Sequence, residues 1–110
     1  MVGNSEIIAA LNDKFRRTFS GGRIVMTDGV QSLPEQVQQA IFNAVQQFNR
    51  FDPKEDDVYG EHDFGKIEHA GTDFFWKIDY LDSNMAHASP NAADTAVTTR
   101  VLTIMLAEEY

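Results

Sequence analysis

The chain has 110 residues, no cysteine, 43% hydrophobic and 11% aromatic residues, and 17 acidic against 9 basic side chains, for a net charge of -8. That length and hydrophobicity fit one folded domain, residues 1-110, with a single core. The charge excludes direct binding to nucleic acid, which needs clustered Lys and Arg, and the missing thiols exclude disulfides and thiolate metal sites. The start, Met1-Val2-Gly3-Asn4-Ser5-Glu6, has no basic segment leading into an apolar run. No stretch approaches the roughly 20 apolar residues of a membrane span, so a cytoplasmic location is expected.

Residues 5 to 18 place Ile7, Ile8, Leu11 and Phe15 at helical spacing, with Asn4 or Ser5 as N-cap, Glu6 in the first turn and Arg16-Arg17 in the last. Ser20-Gly21-Gly22 ends this helix. A β-branched run, Arg23 to Thr27, predicts the first strand and closes on the turn Asp28-Gly29. Ser32-Leu33-Pro34-Glu35 has the form of a capping box with Pro in the first turn. It predicts a helix with Val37, Ile41, Ala44, Val45, Phe48 and Phe51 on one face, stopped by Asp52-Pro53.

From Asp52 to Asp63 the chain carries Asp52, Glu55, Asp56, Asp57, Glu61 and Asp63 against Lys54 alone, with no apolar periodicity. A loop of this length in a small domain points to function or mobility. Two-residue alternation then begins. Phe64 to His69 reads as a strand, Ala70 to Asp73 as a turn, and Phe74, Trp76, Ile78 and Tyr80 as the core-facing side of a returning strand. Phe75 falls on the opposite face and needs cover.

Asp82 to Thr95 is small and polar and predicts a second long loop. In the final stretch Leu102, Ile104 and Leu106 alternate as in a strand, whereas Val97, Val101, Ile104 and Met105 also suit a helix. The Thr and β-branched content favours a central strand. The order helix-strand-helix-strand-strand-strand predicts an α+β two-layer sandwich, a mostly antiparallel four-stranded sheet with two main helices on one face.

Four pieces, Leu11 to Phe19, Tyr59-Gly60-Glu61-His62-Asp63-Phe64-Gly65, Phe74-Phe75-Trp76-Lys77-Ile78-Asp79-Tyr80 and Arg100 to Tyr110, make the chain similar to a small bacterial family catalogued only as a domain of unknown function. The resemblance covers nearly the whole chain. It implies a habitat on plasmids and integrated mobile elements, where small acidic proteins often inhibit host defence, as anti-CRISPR and antirestriction proteins do. It carries over no activity, cofactor or catalytic residue.

Among chemical readings, Glu61-His62-Asp63 offers two hard carboxylates and one imidazole in a row, with His69, Asp79, Asp82 and His87 as distant partners for Mn, Mg or Zn. Adjacent residues on an extended chain point in alternate directions, however, so the three do not converge unaided. There is no nucleophile elbow, phosphate-binding glycine loop or HExxH motif, so neither a catalytic residue nor a cofactor is expected. The favoured expectation is a non-enzymatic binding protein. Its partner-binding residues would be Asp52, Glu55, Asp56, Asp57, Glu61, Asp63, Asp79 and Asp82, with Glu108-Glu109 as an extension. These carboxylates would take the place of phosphates in a basic groove of a host defence or nucleic-acid-binding protein. The alternatives are a metal-binding domain or small metal-dependent enzyme centred on Glu61-His62-Asp63, and a homodimer that covers Phe75 with its own copy.

Overall fold

The computed structural model describes residues 4–55 and 57–110. The elements run α1 (Asn4–Thr18), β1 (Gly22–Met26), a one-turn helix α2 (Asp28–Gln31), α3 (Glu35–Gln46), β2 (Phe64–His69), β3 (Thr72–Leu81), β4 (Thr99–Leu106) and a short 3-10 turn (Ala107–Glu109). The strands form one sheet in the order β1-β4-β3-β2. β3 is antiparallel to both of its neighbours, β2 and β4, and β1 lies parallel to β4, so the sheet is mixed. The protein is α+β.

The last strand settles the choice between helix and strand at the C-terminal end. β4 is central, flanked by β1 and β3, and both its faces are largely buried. Such a strand must read as nearly continuous hydrophobic residues, and a continuous run also imitates helical periodicity. Ile67, Phe74, Trp76, Ile78, Leu102 and Ile104 line one face of the sheet and meet Phe15 of α1 with Ile41 and Val45 of α3. Trp76, at the centre, is fully buried. Its indole edge abuts Gly65 and the tip of Phe48, so a Cβ at Gly65 would collide with Trp76 Nε1. Gly22 is constrained in the same way by the Phe15 ring, 2.7 Å from where a Cβ would stand.

Three local expectations change. Asp28-Gly29 lies inside α2 rather than ending a strand, because the Thr27 hydroxyl and the Glu109 carboxylate cap that turn. The capping box before α3 does not form: Pro34 is the N-cap, and the Ser32 hydroxyl donates backwards to the Gly29 carbonyl at 2.8 Å. α3 stops at Gln46, before Phe48 and Phe51, so these two rings reach the core from the segment after the helix.

The hairpin turn is two residues, Ala70 and Gly71, with φ of 52° and 83°, the handedness that suits the twist of the flanking strands. On the outer face of the sheet Phe64, Phe75 and Tyr110 form a triangle of rings with centroids 5.1 to 5.7 Å apart. Phe75 is thus covered by this chain's own C-terminal residue. Among the described residues no helix is long and apolar enough to cross a membrane.

Candidate functional site

Beyond Ile78 the inner face of the sheet turns polar. Tyr80 of β3 stands opposite Arg100 of β4, and α1 brings Asn12 down onto both. Asn12 is 0% exposed and Arg100 4%. An amide and a guanidinium buried to this degree must spend their hydrogen-bonding groups inside the protein. Arg100 Nε donates to Asn12 Oδ1 at 2.7 Å, and Arg100 Nη2 donates to the Ala92 carbonyl at 2.6 Å. Asn12 Nδ2 donates to the Glu61 carbonyl at 2.9 Å and to the Tyr80 hydroxyl at 2.8 Å. The Tyr80 hydroxyl in turn donates to Glu61 Oε1 at 2.8 Å. Burial, opposed by the Asn12 hydrogen bond and reinforced by Glu61, pushes the Tyr80 phenol up, so it remains a donor. The Arg100 guanidinium packs over the Tyr80 ring at 5.2 Å.

Further along α1, the adjacent Asp13 and, one turn on, Arg16 extend the network towards the acidic loop. Arg16 is 0% exposed; Nη1 donates to Asp13 Oδ1 and Nη2 to the Phe48 carbonyl, both at 2.8 Å. Asp13 also receives His62, whose Nδ1 lies 3.0 and 3.1 Å from its two oxygens. The other ring nitrogen of His62 is 3.6 Å from Asp57 Oδ2, and the His62 amide donates to Asp57 Oδ1 at 2.9 Å. The imidazole stacks flat on Phe51 at 4.0 Å, and the Arg16 guanidinium stands over the same Phe51 ring at 5.2 Å. His62 has φ 55°, a left-handed conformation uncommon for a residue with a Cβ. The surrounding contacts hold it there.

The acids singled out in the sequence separate into three groups. Asp52 and Glu55 are exposed; Asp52 Oδ1 accepts the nearby Lys54 amide at 2.9 Å. Asp57 is turned inward, 6% exposed, with both oxygens committed to His62. Glu61 and Asp63 are half-buried beside the polar end of the sheet. Asp63 makes no ion pair among the described residues, and its carboxyl is raised above the usual range by burial first and then by Glu61, with Asp57 and Asp79 adding. Asp79 pairs with Lys77 at 3.1 Å. Asp82 caps its own loop, accepting the Ala86 amide at 3.0 Å, and that amide chiefly holds it low. Asp56 lies outside the described residues. Glu109, grouped by sequence with the acidic surface, is engaged at home: the Thr27 hydroxyl, followed by the Leu106 and Gly29 amides, holds it low.

Glu61 accepts from the Tyr80 hydroxyl while the His62 ring lies on Asp13, and among the described residues no three His, Asp or Glu side chains converge as metal ligands would. Sequence reading missed Asn12, Asp13, Arg16 and Arg100. Arg16 suits the helix dipole by its place in the last turn, yet it falls one position from Phe15 and four from Asn12, on the buried side. A polar residue inside an otherwise apolar stripe was the available signal for Asn12.

No curated protein and no solved structure matches the chain. The model of a family described as Protein of unknown function (DUF3768) matches residues 26–109, a span holding the whole acidic loop, Tyr80 and Arg100, and the chain belongs to that family.

Proposed function

We propose that this protein is a non-catalytic binding protein whose acidic surface occupies a basic, nucleic-acid-binding surface of a partner. One observation carries the reading: Glu61 and Asp63 sit together, with Asp57 and Asp79 near, and no cation neutralises Asp63 among the described residues. Carboxylates held close at a cost in repulsion gain most from an Arg or Lys brought by another molecule. Exposed Asp52 and Glu55 on the same loop extend the negative face, and the net charge of -8 steers a basic partner towards it. The loop is anchored through His62 and Asp57, so less ordering entropy is lost on binding than for a free acidic segment.

The specific form of the proposal is inhibition of a host nucleic-acid-handling defence complex, of the anti-CRISPR or antirestriction kind, by a protein encoded on a mobile element. The test is capture from bacterial lysate on immobilised protein, beside the triple variant Asp52→Asn, Glu55→Gln, Asp63→Asn. The expected result is a nucleic-acid-binding protein that duplex DNA or RNA displaces, with capture falling steeply between roughly 50 and 200 mM salt and lost in the variant. Capture that ignores salt and nucleic acid, or survives in the variant, overturns the proposal.

A further inference from the structure

A cavity of about 200 Å³ opens on the other side of Arg100, between α1, the Ser20-Gly21 turn and the loop before β4. Its polar lining consists of Arg100, Lys14, Ser20, Thr95 and Thr98, with no carboxylate, in a chain whose surplus charge is negative. The larger groove of about 630 Å³ beside Phe51 is different, since its lining holds Asp52 and Glu68 along with Arg50 and Lys66. In the small cavity the positive groups go unanswered. Arg100 is 4% exposed, and among the described residues neither it nor Lys14 has a carboxylate within ion-pair distance.

Two of Arg100's nitrogens donate to neutral oxygens, Asn12 Oδ1 and the Ala92 carbonyl. Burial draws the guanidinium's affinity for its proton down, and nearby Tyr80 and Glu61 offset this only in part. A buried cation with no carboxylate in direct contact is expensive, and an anion entering beside it recovers part of that cost. The hydroxyls of Ser20 and Thr95 make no hydrogen bond within the described protein, leaving two further donors, while Leu11 and Phe15 supply an apolar wall. The volume lies below the roughly 300 to 1,000 Å³ of clefts that enclose drug-sized ligands.

We propose that this cavity binds a small organic oxyanion, a phosphoryl or carboxylate group carrying a short apolar substituent, between Arg100 and Lys14. The oxyanion accepts from the guanidinium and ammonium, and its substituent lies against Phe15 and Leu11. The site shares no residue with the proposed acidic surface.

The test is a heteronuclear NMR titration of the whole chain with phenyl phosphate, inorganic phosphate, benzoate and chloride at matched ionic strength. It follows the Arg100 Nε–H and the Gly21 and Thr98 amides, in the wild type and in Lys14→Ala and Thr95→Val. Both variants alter exposed side chains, so the fold is expected to survive. Saturable shifts with phenyl phosphate but not benzoate assign a phosphoryl ligand, and the reverse assigns a carboxylate. In either case affinity is expected to fall at least tenfold in Lys14→Ala and by less in Thr95→Val. Shifts that rise linearly and equally with chloride, or saturation unchanged in both variants, overturn the proposal.

Discussion

The two long loops, residues 47–63 and 82–98, end on the same buried pair but hold themselves in opposite ways. The first offers the Glu61 carbonyl to Asn12, and the second offers the Ala92 carbonyl to Arg100. Between these ends, the first loop is tied down by charged and aromatic groups from elsewhere: Asp13 on His62, Phe51 beneath its ring, and Asp57 turned inward. The second loop is tied mainly to itself. Ser89 Oγ lies 2.6 Å from Thr98 Oγ1 and accepts the Asn91 amide, Thr98 donates to the Asn91 carbonyl, and Asp82, Asn91 and Asp94 each accept an amide a few residues on. Small polar side chains that bond neighbouring backbone let a segment without a core of its own adopt one path. The difference separates a loop whose shape depends on side chains of other elements from one whose shape depends on local turns, with one amide-guanidinium clip beneath both.

The largest expected effect comes from removing the clip. Asn12→Ala deletes two donors and the acceptor of a buried guanidinium, and is expected to cost about 3 kcal/mol in urea unfolding, since a buried charge is left unsatisfied. Next is His62→Asn, which keeps a residue tolerant of positive φ while deleting the ring. It is expected to cost about 1.5 kcal/mol and to increase protease cleavage in the first loop alone. Ser89→Ala is the counterpart in the second loop, expected to cost about 1 kcal/mol and to leave cleavage of the first loop unchanged.

The smallest effect has the opposite sign. The raised Asp63 carboxyl favours the fold while protonated: that stability is fully present below its ordinary value of 3.8 and is lost as pH rises through the raised one. Asp63→Asn is therefore expected to be more stable than the wild type at neutral pH, by about 0.5 kcal/mol after allowing for solvent screening, and equal to it near roughly pH 3.5. Melting scans across this range check the sign.

These variants fall mostly where the sequence was silent, for a physical reason. Periodicity exposes what is apolar and repeated. The alternation in β3 and the Ile8-Phe15 stripe of α1 lead directly to the sheet and the helix that covers it. The bounds of α3 were less legible because Phe48 and Phe51 continue its apolar spacing after the backbone has left the helix. Buried polar groups have no period. Asn12 meets Arg100 across 88 residues and Asp13 meets His62 across 49, and only the fold brings them together. The acidic run was plain in the sequence, but which of its members face outward was not. Asp57 lies within five residues of exposed Asp52 and Glu55, and its inward turn follows from a histidine whose own position is set by α1.

The clip also joins the two sites, since Asn12 holds the Glu61 carbonyl of the acidic loop and Arg100 lines the cavity, so both candidate sites depend on it for their shape. Native-state amide hydrogen exchange on Asn12→Ala, resolved over residues 57–63 and 91–98, tests this most directly. The account predicts that both segments lose protection together and by a similar factor, while the β2-β3 hairpin turn stays as in the wild type. Loss of protection in one segment with the other unchanged would contradict it.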